Sequence, residues 1–89
     1  MIYELLGEKY LQLGKYNSAY KAFFKTNEMR PSAYCQYKLA DILCSLGRPA
    51  EALAQFQEVL EEQPKYGPAL LGCVKSLHQL ILVRVLYRA

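Results

Sequence analysis

A step of 33 residues constrains this chain more than anything else in it. Gly14 returns as Gly47, Ala19 as Ala52, Phe23 as Phe56 and Pro31 as Pro64, each 33 residues on, and Leu6/Leu39 and Leu13/Leu46 keep the same interval. Self-similarity at a period of this size signals a repeat architecture, in which each unit is one supersecondary element stacked on its neighbours. A third window opens after Pro64, where Leu70, Cys73, Val74 and Leu77 can take the parts of Tyr3, Leu6, Gly7 and Tyr10.

Within a window the periodicity is helical. Tyr3, Leu6, Gly7, Tyr10 and Leu11 recur at spacings of three and four, which stacks them on one helix face. Ala19, Phe23, Phe24 and Thr26 form the inward face of a second helix, with Lys21 and Lys25 turned away. Gly14 and Gly47 stand where glycine commonly closes a helix, and Pro49 suits a first turn because the amide it lacks would be unpaired there. Glu51 adds a small favourable dipole interaction at that start. Pro31 and Pro64 stop the second helices, and Ser32 is placed to cap the next one. The unit is helix, tight turn, antiparallel helix, prolyl stop, and no alternating run is long enough for a strand.

The segment "LLGEKYLQLGKYNSAYKAFFKTNEMRP" resembles the tetratricopeptide repeat. Leu6-Gly7, Tyr10, Gly14, Tyr16, Ala19, Phe23 and Pro31 fall at that family's spacings, as do Leu39, Ala40, Leu43, Gly47, Ala52, Phe56, Val59 and Pro64 in the next unit. Thr26 and Tyr3 depart from the usual residues. The step is also one residue short of the family's 34, which leaves open whether Gln36 or Tyr37 packs inward. The resemblance implies an all-α, right-handed α-solenoid of antiparallel hairpins with about two and a half repeats. Its expected units are 1–31, 32–64 and a partial third at 65–79, followed by an apolar tail at 80–89. A narrower likeness, carried chiefly by Lys65-Tyr66-Gly67-Pro68-Ala69-Leu70, is to repeats in the large scaffold subunit of a cytoplasmic RNA-decay assembly.

The signature residues are expected to build the fold. Gly7, Ala19, Ala40 and Ala52 sit where helices cross closely, while Phe23 and Phe56 fill the space between units, each burial contributing roughly 1.5–3 kcal/mol. The resemblance places partner binding on the concave face of the first helices. It puts Glu4, Glu8, Leu11 and Gln12 there from the first unit; Tyr34, Tyr37, Lys38, Asp41 and Ser45 from the second; and Lys75, His78 and Gln79 from the third. Tyrosine serves well at such a face because it joins apolar area to a polar tip. A clamp for a terminal carboxylate is argued against, since the positions that would supply cations or amides hold Glu4, Glu8, Lys38, Pro68 and Gly72.

Other classes of function find little support. Catalysis needs a base beside a nucleophile with a third group to orient it; the chain's single histidine, His78, has Cys73 five residues away, which points elsewhere on a helix. Cys35, Cys44 and Cys73 form no close pair for zinc or a disulfide, so the reading is no metal, no cofactor and a reducing compartment, cytoplasm or nucleus. The net charge of +3 is spread over both halves, which argues against direct nucleic-acid binding. The competing class is nevertheless an RNA-reading pentatricopeptide-like repeat, also a helical hairpin, for which "LCSLGRPAEALAQFQEVL" would pass. No membrane span is expected, because the apolar run Leu80 to Leu86 is short and broken by Arg84.

Two hairpins and one further helix are fewer elements than a free-standing array needs, so the chain reads as a section of a longer scaffold. Its last ten residues are either foreign to the repeat or a helix that docks on a partner or self-associates.

Overall fold

The computed structural model describes residues 2–87, and these form five helices with no strand among them. They are α1 (Ile2–Gln12), α2 (Tyr16–Met29), α3 (Ala33–Ser45), α4 (Pro49–Glu62) and α5 (Gly67–Tyr87). Helices α1 and α2 pair as one hairpin and α3 and α4 as the next; α2 packs on α3, and α5 packs on α4 and α3. This is an all-α solenoid of the tetratricopeptide type.

The two hairpin turns share one geometry, and glycine permits it. Gly14 and Gly47 have φ of 74° and 79°, the left-handed region that a side chain disfavours. Around them the same two bonds recur: Gly14 N–H donates to Leu11 O and Lys15 N–H to Tyr10 O, then Gly47 N–H to Cys44 O and Arg48 N–H to Leu43 O. That pair of bonds satisfies carbonyls left unpaired at the end of the preceding helix. Pro49 occupies the first turn of α4. The Ser32 side chain accepts from Cys35 N–H at 3.1 Å to cap α3, while Asn27 Oδ1 accepts from Ser32 N–H at 3.2 Å and ties the link to α2.

The core lies both within and between units. One cluster joins Ala19 and Phe23 of α2 to Leu39 and Ile42 of α3; the other joins Ala40, Leu43 and Cys44 of α3 to Ala52, Phe56 and Val59 of α4 and Ala69 of α5. Both phenylalanine rings are fully buried. Gly7 provides room for the first, because a Cβ there would lie 2.6 Å from Phe23 Cε2. Gly72 does the same for the second, lying directly against the Phe56 ring.

Several expectations change. Leu6 is 41% exposed although its counterpart Leu39 is 4% exposed. Leu39 packs against Phe23 of the preceding unit, and no described helix precedes α1 to do the same for Leu6. Phe24 faces outward and stacks on Tyr20 at 6.1 Å. The third window is displaced by one residue. Ala69, Gly72 and Ser76 are the buried positions of α5, with Cys73 half-buried beside them, whereas Leu70, Val74 and Leu77 are exposed. Gly72 and Cys73 therefore keep the 33-residue step from Leu39 and Ala40. Finally, α5 runs unbroken across the expected boundary at 79/80.

That continuity also corrects the reading of hydropathy. Gly67–Leu86, with mean hydropathy 1.5 over its most apolar window, is one described helix long and apolar enough to cross a membrane by length and composition. Counting the run from Leu80 missed it because Gly72, Cys73 and Ser76 interrupt the large apolar residues without interrupting the helix. The first half of α5 covers Phe56, so withdrawing it into lipid would strip the second unit of its packing.

Candidate functional site

Helices α1, α3 and α5 are the first helices of successive units, and polar side chains bridge them in sequence. Tyr34 Oη on α3 donates to Glu8 Oε1 on α1 at 2.7 Å, and Lys38 Nζ approaches the same oxygen at 3.7 Å. One step further along, Lys75 Nζ on α5 pairs with Asp41 Oδ1 on α3 at 3.4 Å. Each carboxylate is thus answered by a lysine from the following unit. Pairs this exposed contribute little stability, about 0–1 kcal/mol, but they set the charge pattern of the face.

Aromatic rings form its floor. Tyr37 lies 6.3 Å from Tyr34, 6.3 Å from Phe56 and 6.2 Å from Tyr66, centroid to centroid. Lys38 Nζ sits over both α3 tyrosines, 5.6 Å from the Tyr34 ring and 5.7 Å from that of Tyr37. One lysine therefore serves a carboxylate and two ring faces together. Burial, the hydrogen bond to Glu8 and the charges of Glu8 and Glu4 push the Tyr34 hydroxyl well above its ordinary range. Burial first, then the charge of Asp41, pushes Tyr37 upward as well. Both hydroxyls are protonated donors at neutral pH, and Tyr34 spends its proton on Glu8.

The expected face residues divide accordingly. Glu8, Tyr34, Tyr37, Asp41 and Lys75 meet in this ladder, with Lys38 at its centre. Glu4 is half-buried and acts on Tyr34 through its charge. His78 is exposed one turn beyond Lys75 and enters none of these contacts. Leu11 leaves the set, since it packs on the Phe23 cluster, and Gly72 is buried beneath Phe56 instead of lining the face. Tyr66 was missed because it stands in the α4–α5 link; its only signal was an aromatic residue in the distinctive Lys65–Leu70 segment.

Lysine pairing mutes the charge of Glu8 and Asp41, and the surface is tyrosine-rich and laced with exposed donors and acceptors. Burial pushes the Cys73 thiol up, away from the reactive thiolate. No three His, Cys, Asp or Glu side chains converge as metal ligands among the described residues.

A face of first helices built on hairpins of this kind defines a class, the tetratricopeptide-repeat proteins, and residues 33–66 match the sequence model of the tetratricopeptide repeat. That match takes in the second hairpin, α3 and α4. Among particular proteins it is 45% identical over 71 residues to Superkiller complex protein 3 of Mus musculus and 44% identical over 71 residues to that of Homo sapiens. Tetratricopeptide repeat protein 37 of Xenopus laevis is 44% identical over the same length. Each alignment takes in 79% of this chain, which spans 4% of each relative's length.

Proposed function

We propose that this chain is a non-catalytic binding element of a cytoplasmic protein scaffold, holding an extended protein segment along the Glu8–Lys38–Tyr37–Lys75 face. On this reading it belongs to an assembly of the superkiller kind, which serves RNA decay by the exosome. The ladder joining three successive first helices carries the proposal, because it makes them one continuous surface of tyrosine rings and paired charges. Tyrosines of this kind anchor peptide segments through area and a polar tip at small entropic cost. Likeness to proteins named Superkiller complex protein 3 supports the choice of assembly. The RNA-reading alternative finds no supporting observation, since Lys38 and Lys75, the central lysines of the face, are both committed to carboxylates.

Affinity capture of the tagged chain from cytoplasmic extract, followed by mass spectrometry, tests this directly. Superkiller-complex components should be recovered, survive ribonuclease treatment, and be lost with the double variant Tyr34→Ala/Lys75→Glu. Recovery indifferent to that variant would sink the assignment of the face. Recovery abolished by ribonuclease would replace a protein ligand with RNA.

A further inference from the structure

In both complete units a first helix is covered by the helix that turns back after it, whereas no described helix turns back over α5. Glycine makes the turn at 14 and 47; the next position in that series, 80, is Leu80, and the helix continues to Tyr87. The uncovered side of α5 is a stripe. Leu70, Val74, Leu77, Ile81 and Val85 follow the i, i+4, i+7, i+11, i+15 rhythm of one helix face and are 47, 66, 47, 60 and 63% exposed. Leu70 and Leu77 stand 33 residues beyond Tyr37 and Cys44, which in the second unit pack into the cluster shared with α4. At these two positions the stripe is therefore the floor of the slot that a returning helix would fill, and Val74, 33 residues beyond Asp41, borders the ladder face.

We infer that a second copy of this chain fills that slot, its α5 lying antiparallel to the first. The extension past Leu80 is what makes this reciprocal: each copy offers the first half of α5 as the slot and the second half as the filler. A twofold axis between residues 77 and 78 sets Leu70 against Val85 of the second copy and Val74 against Ile81, with the two Leu77 side chains meeting at the axis. Such a contact uses the same patch on both copies and closes on itself. Charge selects the orientation. Helix α5 contains no Asp or Glu, and carries Lys75 and Arg84. A parallel pair would set Arg84 beside Arg84 with no acid to answer it, whereas the antiparallel pair sets Arg84 near Leu71 and Lys75 near Leu80. The area suffices. With Leu71 and Leu82 flanking it, the stripe exposes roughly 700 Å² per copy at about 100 Å² a residue, more than the few hundred Å² a monomer usually leaves bare and close to the ~800 Å² per partner of a standard interface.

Sedimentation equilibrium of the full chain should return twice the 10.2 kDa chain mass at micromolar concentration. Leu77→Glu should return the single mass with unchanged helical circular dichroism, because that side chain is half-exposed in one copy. Val74→Glu and Ile81→Lys should each be monomeric alone, yet form a dimer when mixed, since residue 74 meets residue 81 of the other copy. A monomeric chain up to ~100 μM would overturn the proposal. So would a mixture that stays monomeric, which would exclude the antiparallel register, or transfer of the chain from dimer to phosphatidylcholine vesicles, which would mark α5 as a membrane element.

Discussion

Two glycines, Gly7 and Gly72, each one methyl group short of alanine, determine how closely neighbouring helices approach. Alanine normally stabilises a helix relative to glycine by up to about 1 kcal/mol, so Gly72→Ala would be a favourable change on an open surface. Here the added methyl would enter the ring of Phe56, which is fully buried and has no space to yield. Overpacking of that kind costs about 1–3 kcal/mol, so it should win and Gly72→Ala should lower the urea midpoint. Gly67→Ala is the control, because nothing lies within 4 Å of a Cβ there. A stabilised Gly72→Ala would remove Phe56 from that contact. The tyrosines offer a second measurement. Tyr34 and Tyr37 hold their protons above the ordinary value, so ultraviolet titration should show a late fraction among the eight tyrosines, reduced in Tyr34→Phe. The sign for stability follows from proton binding: the folded chain retains protons that the unfolded chain releases near pH 10. The contribution is present below about pH 10 and lost as pH rises through the folded values. The parent chain should therefore lose stability above pH 10 faster than Tyr34→Phe does, by a modest margin because Tyr34 remains 37% exposed.

At the level of elements, the turns were legible and the helix of the third unit, α5, was not. The 33-residue step located Gly14 and Gly47, and their positive φ angles follow from the same reasoning that places glycine past a helix end. Gly47→Ala should therefore cost about 1 kcal/mol through backbone strain alone, with open space around the added methyl. Thermal melts of Gly47→Ala and Gly14→Ala should agree, and a neutral result at either would show that its turn relaxes. Helix α5 defeated the same reasoning because its pattern is inverted. Its buried positions hold Ala69, Gly72 and Ser76, while the bulky Leu70, Val74 and Leu77 face solvent. A search for large apolar residues at helical spacing therefore settled on the wrong register. Ser76 can be buried because its hydroxyl lies 3.2 Å from Cys44 Sγ, a partner 32 residues away that no local pattern reveals. The ladder failed for a related reason. Glu8, Lys38, Asp41 and Lys75 could each be placed on the face from sequence, but their pairing depends on the stacking distance between units. Counted singly, Glu8 and Asp41 are unanswered acids, whereas the folded chain pairs each with a lysine of the next unit.

For the whole molecule, the stack makes stability uneven. Helix α3 touches α2, α4 and α5, and both core clusters pass through it. Helix α1 rests on α2, and the second half of α5 extends past the last buried position, Ser76, with Ile81 to Leu86 exposed. In arrays of this kind each unit draws its stability from its neighbours, so the ends open before the middle. Amide hydrogen exchange should accordingly be slowest in α3 and α4, faster in α1, and fastest in α5 beyond residue 80 when the chain is dilute. Dimerisation through α5 predicts a further effect, because association stabilises in proportion to the logarithm of partner concentration. A rise from about 1 to 100 μM should slow exchange throughout α5 and raise the melting temperature, leaving α1 comparatively unaffected. Leu77→Glu should abolish that dependence while preserving the slow core in α3. If exchange in α5 is independent of concentration yet as slow as in α3, the second half of the helix is held by contacts within one chain, and the exposed stripe needs no second copy to stabilise it.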